Sequence, residues 1–274
     1  MRSASWPSIA RAQGARRGTL SALLGLLVLS ALAWAPTAAA AAPLKCLIIN
    51  NALNASYSSL QAAQDASAAG DTLWVRGRCF GTTTITKDLT LTGQQLRGFT
   101  SPTLDGGSQN VVLSINAGVA VTINTLTISD GNNPAFGGGG IDNLGGTVTL
   151  NDSTITGNNT ATSAGGGINN DGGLVTLNGS SSVSDNYGFN GGGINNTNGG
   201  TVTLNDSSSV SGNTAGFAGG GIFNTGTVNL NDSSSVSGNT ADLVGGGIFN
   251  YPGGTVNLNG GTVTGNTPDD IVYA

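Results

Sequence analysis

One segment of this chain keeps returning, and that recurrence constrains the fold more than any other feature. Gly-Gly-Gly-Ile recurs with Ile141, Ile168, Ile194, Ile222 and Ile248, at spacings of 27, 26, 28 and 26 residues. A Thr-Val-Thr-Leu-Asn-like segment keeps the same period through Leu150, Leu177, Leu204, Leu230 and Leu258. A Ser-Val-Ser-Gly-Asn-like segment follows through Ile155, Val183, Val210, Val236 and Val263, and Ile123 and Ile128 extend the last two series one period back. A fixed period of this length marks a stacked array of supersecondary units. Each period holds three short pieces in which apolar and polar residues alternate, and alternation of period two reads as strand. Val202 and Leu204 face one side of Thr201–Leu204, and the two Thr face the other. Strands this short gain stability only by stacking on the next copy. The expectation is an all-β parallel β-helix with three-strand coils of about 27 residues, its coils about 4.8 Å apart. From Asn50 onward there is room for about eight coils on that spacing.

Asparagine keeps the same register in three sets: Asn143, Asn170, Asn196, Asn224 and Asn250; Asn151, Asn178, Asn205, Asn231 and Asn259; Asn158, Asn186, Asn213, Asn239 and Asn266. Asn tolerates the left-handed backbone of a sharp corner, and stacked amides can hydrogen-bond along the array. These positions therefore read as structural ladders at three corners of the coil.

Composition narrows the chemistry. Gly is 46 of 274 residues, yet no strict Gly-x-y period runs through the chain, so collagen is excluded. Charged residues are 8% and hydrophobic residues 38%, which is not the balance of a charged disordered tail. There is no His, which removes any catalysis that needs a histidine base. All 14 acids are Asp, and nothing after Arg97 is basic, so residues 98–274 carry eleven Asp and no cation. A nucleic-acid partner is not expected, because no basic patch exists.

The amino terminus reads as an export signal over residues 1–42. Arg2, Arg11, Arg16 and Arg17 precede an apolar run from Leu20 to Trp34, and small residues suited to cleavage follow, up to Ala42. Arg16-Arg17 leaves the twin-arginine and general secretory routes both open. The run is short for a membrane span, so the mature chain is expected to have none. Its destination is then secreted, extracellular or cell-surface. Cys46 and Cys79 are the two cysteines, and an even count in an exported chain suggests one disulfide. Residues 43–98 read as a cap with the first coils, continuous with the repeat domain over 99–274. Ser58 and Ser59 ahead of Leu60–Ala69, with Gly70 after it, bracket a short capping helix. Asp71–Val75 then reads as the first strand.

Taken together, the Gly-Gly-Gly-Ile and Ser-Gly-Asn-Thr repeats resemble the right-handed parallel β-helix of the pectate-lyase-like superfamily. Within it they are similar to repeats of the chlamydial polymorphic outer-membrane protein type. The match is good over roughly 130–270 and looser over 44–130, and the Phe-x-x-Asn half of that signature is mostly missing. The resemblance implies a surface-exposed, often adhesive protein that presents repeated side chains to a glycan or a protein partner. It also implies an alternative, a polysaccharide lyase or glycosidase. Lyases of this fold pair Asp-bound Ca²⁺ with an Arg or Lys base, and its galacturonan hydrolases add His, Arg and Lys to several Asp. The repeats here keep only Asp, so no catalytic residue is assigned and the chain reads as a non-enzyme.

Three features remain as candidate sites. Phe223 and Phe249 follow the repeat Ile on adjacent coils, where a stacked exposed pair could dock a sugar ring or a protein, or simply shield the sheet. Tyr187, Phe189, Phe217 and Tyr251 lie in nearby turns. Asp206 and Asp232 hold one position on adjacent coils, with carboxylates about 5 Å apart if aligned. They could share Ca²⁺ or act as an acid pair, or be exposed Asn-Asp turns with splayed side chains; no metal ligand set is assigned. Thr147/Thr149 and Thr201/Thr203 form an outward Thr-x-Thr array that resembles the ice-binding face of some solenoids, interrupted by Leu174 and by Asn229 and Asn257. Thr is also an ordinary strand former on a solvated face.

Overall fold

The computed structural model describes residues 46–133 and 137–274. The export segment assigned to 1–42 lies outside the described residues. The rest is a parallel β-solenoid whose three inward columns follow the repeat. Leu73, Leu91, Ile123, Leu150, Leu177, Leu204, Leu230 and Leu258 are register partners down one face. Cys79, Leu104, Ile128, Ile155, Val183, Val210, Val236 and Val263 run down the second. Thr83, Leu113, Ile141, Ile168, Ile194, Ile222, Ile248 and Ile271 run down the third. About seven turns connect the rungs. From Leu91 to Val236 every aliphatic member of these columns is at most 2% exposed. Each buried Val, Leu or Ile contributes about 1.5–3 kcal/mol.

Coils beginning at Asn159 carry a fourth short strand that the repeat alone does not announce. Asn159–Ala164, Tyr187–Asn190, Thr214–Ala218 and Thr240–Ala241 pair in parallel between the second and third faces. Their inward column is mixed, Thr160, Gly188, Ala215 and Ala241, and the first two pairings contain register shifts. The Gly-Gly-Gly that follows lets the chain return against the next coil. At Gly193 an added Cβ would lie 2.7 Å from Gly221 O and 2.9 Å from Val210 Cγ1.

The amino-terminal end is closed. Cys46–Asn50 pairs antiparallel with Asp71–Phe80 and with Ala55–Tyr57, so it covers the edge of the first rung. The helix runs Leu60–Ala66, shorter than the sequence expectation of Leu60–Ala69. Ser59 caps its start by accepting from Ala62 N. Ser67 ends it because both its N–H and its hydroxyl bond to Ala63 O, and Asp71 then accepts from Ala68 N to hold the turn through Gly70. Leu60 and Ala63 pack onto the core of the first coil. Cys46 and Cys79 are bonded across a sequence separation of 33. Among the described residues no helix is long and apolar enough to cross a membrane.

Candidate binding surface

The Asn sets form continuous hydrogen-bonded ladders, and their burial separates them. In the first, each side-chain amide N–H donates to the carbonyl of the next coil, from Asn143 to Asn170, Asn196, Asn224 and Asn250, at 2.6–2.8 Å. The third runs the same way from Asn158 through Asn186, Asn213 and Asn239 to Asn266, at 2.9–3.0 Å. Both are buried. The second is half-exposed and points the other way, from Asn259 back through Asn231, Asn205, Asn178 and Asn151 to Asn124. A fourth amide chain was not legible in the repeat: Asn195 donates to Asn169, which donates to Asp142 at 2.9 Å. Asp142 is 8% exposed, and burial pushes its carboxyl above the ordinary 3.8, with Asp171 adding repulsion.

Asp206 and Asp232 sit on left-handed turns with φ of 57° and 56°. Both residues are exposed, as expected of such turns, and each carboxylate is held by the main chain of the neighbouring coil. Asp206 accepts from Gly179 N at 2.8 Å and Asp232 from Asp206 N at 3.2 Å, so each caps a main-chain N–H of the preceding coil. Asp152, at the same position, instead accepts from the N–H and hydroxyl of Ser180 in the following coil, and these bonds lower its carboxyl. Among the described residues no three carboxylates or thiols gather as a metal-binding group.

Phe223 and Phe249 are in ring contact but tilted, with centroids 5.5 Å apart and planes at 32°, and Tyr251 joins them at 6.2 and 6.3 Å. The expectation that the pair is exposed needs correction. Phe249 is 9% exposed and Phe223 half-buried. The chain before each repeat Ile folds back over this position: an added Cβ on Gly245 would lie 2.9 Å from Phe249 Cβ.

The exposed apolar feature lies instead on the fourth strand. Phe189 and Phe217 are 42% and 40% exposed, and their rings stack at 5.5 Å and 14°. Leu243 continues the line: its N–H donates to Phe217 O, and it is 62% exposed. Tyr187 flanks the ridge, its hydroxyl 2.9 Å from where a Gly216 Cβ would stand. Tyr187 and Phe189 share the outward face of their strand, because Gly188 between them is buried, and exposed Asp185 stands at the left-handed corner before it, with φ of 55°. The signal in the sequence was present only as scattered aromatics in turns. Their alignment depends on register shifts that no period predicts.

The Thr columns are in register but mixed. Thr147, Leu174, Thr201, Thr227 and Thr255 form one column, and Thr149, Thr176, Thr203, Asn229 and Asn257 its neighbour. Near the cap, Arg78 pairs with buried Asp105 and with Asp130, and lies 5.4 Å over the Phe80 ring. No family model, curated protein or solved structure matches the chain.

Proposed function

We propose that this chain is an exported, surface or extracellular β-solenoid that acts by display, holding side chains at the fixed spacing of its coils for a glycan or protein partner. On this reading it belongs with the right-handed β-helices of the pectate-lyase-like type, and its repeats with those of polymorphic outer-membrane proteins. The repeat motif and the order helix, Gly-Asp, strand at the cap support that placement. The Cys46–Cys79 bond suits an oxidising compartment. The observation that carries the binding role is the ridge Phe189–Phe217–Leu243. Apolar groups exposed side by side on adjacent coils mark interaction sites. The test is retention of residues 43–274 on immobilised glycans and on extracellular matrix proteins. Retention lost with Phe189→Ser and Phe217→Ser supports the reading. Equal retention of wild type and variants on every surface removes the ridge as its basis.

A further inference from the structure

We infer that the partner of the ridge is a cationic, extended protein segment that lays apolar side chains along Phe189, Phe217 and Leu243 and sets Lys or Arg against Asp185 and Asp242. This rests on the reading of the ridge as a binding surface and names the chemistry of its partner.

Three observations select that class. The first is charge. Residues 98–274 hold eleven Asp and no Lys, Arg or His, so neither Asp185 nor Asp242 can find a cation on its own part of the chain. Both are exposed, Asp185 on the coil of Phe189 and Asp242 on the coil of Leu243. Asp185 occupies the left-handed corner that precedes Tyr187, its carboxylate beside Gly212 of the next coil. Asp242 lies directly before Leu243, its N–H bonded to Ala215 O at 3.0 Å. A surface of one sign attracts partners of the other and repels acidic polymers.

The second is ring geometry. At 14° and 5.5 Å, Phe189 and Phe217 spend their facing sides on each other, which takes those two ring faces away from any ligand. A sugar docks on a ring face. The stacked pair and a leucine side chain instead form a narrow apolar rail, which suits aliphatic side chains and the methylene stems of Lys and Arg, whose heads then reach outward to carboxylates.

The third is length. Phe189 to Leu243 spans two coil steps, about 10 Å at the strand-pairing distance. That is roughly three residues of extended chain, so a segment of that length reaches from the coil that holds Asp185 to the coil that holds Asp242.

The experiment uses the mature chain and three probes: a labelled peptide of alternating Lys and Leu, its Glu-Leu counterpart, and cellohexaose. The Lys-Leu peptide is expected to bind, to weaken as salt screens the carboxylates, and to lose roughly tenfold or more in affinity with Phe217→Ser. Asp242→Asn should weaken binding and flatten its salt dependence. Both sites are exposed, and unchanged far-ultraviolet circular dichroism and melting confirm that the variants fold. Binding of cellohexaose alone, lost with Phe217→Ser, overturns the cationic partner and leaves the binding module standing. Peptide binding untouched by Phe217→Ser overturns the ridge as the site, since general attraction to an acidic surface explains it. Failure of every probe to bind overturns the cationic partner, and the display reading falls only if the glycan and matrix surfaces also fail.

Discussion

At the residue scale, the ladders obey a donor–acceptor logic that explains where Asp replaces Asn. An Asn chain passes one amide N–H per coil, so the last member needs a group that only accepts. The third ladder ends on Asp270, whose carboxylate takes both the backbone and side-chain N–H of Asn266 at 2.9 Å. The fourth ends on Asp142. Burial then decides the worth of each rung. Asn213 receives two bonds from Asn186 and gives bonds to Asn239 and to Val183 O, with no exposure. Asn213→Ala strands the Asn186 donors, at about 1–3 kcal/mol for each unsatisfied group. Asn205→Ala acts on the half-exposed ladder, where water replaces the partner, and should cost about 1 kcal/mol or less. Urea unfolding of the two variants checks the ranking, and an equal cost contradicts it. Asp142 gives a pH signature. Its folded value lies above 3.8, so between 3.8 and that raised value the folded chain keeps a proton that the unfolded chain has released. Stability due to this group therefore falls as pH rises through that window. Asp142→Asn should remove that part of the slope, and urea midpoints measured from acid to neutral pH will show whether it does.

At the element scale, what was legible in the sequence was whatever repeated inward. The columns through Leu204, Val210 and Ile194 follow from period-two alternation, because an inward strand position tolerates only apolar groups. The buried ladders follow from Asn at fixed offsets. The fourth strand and the covered Phe249 were not legible, because both depend on how the linking chain folds back, and that is set by glycines rather than by a pattern of side chains. Gly193 illustrates the constraint. Its Cα stands where a Cβ would press on Gly221 O, Asn213 Nδ2 and Val210 Cγ1 at 2.7–2.9 Å, and two of these belong to backbone or core that cannot swing away. Gly193→Ala should destabilise by about 1–3 kcal/mol, the range for overpacking. Melting temperatures of the Gly193 variant and wild type decide the matter, and an unchanged value means that the coils can spread at this corner.

At the scale of the whole molecule, each coil touches only its neighbours, so stability is a sum of local steps. Ion pairs contribute little to it: those present among the described residues involve Arg78 alone, beside the cap. The cap is also where a covalent bond acts, since Cys79 heads the column of Leu104 and Ile128 while Cys46 belongs to the antiparallel strand that closes the edge. Reducing that bond frees a loop of about 34 residues in the unfolded chain, which costs about 3–4 kcal/mol in the chain-entropy picture. In a globular domain with one cooperative core the loss would appear everywhere. In a stack of neighbour-coupled coils it should appear near the cap and fade with distance. Hydrogen exchange after mild reduction, compared with the oxidised chain, is therefore expected to rise in 46–93. It should stay unchanged in the strands Thr201–Leu204 and Thr227–Asn231, several coils away. Uniform acceleration along the chain would mean that the rungs fold as one unit, and the neighbour-by-neighbour account of this solenoid would have to be given up.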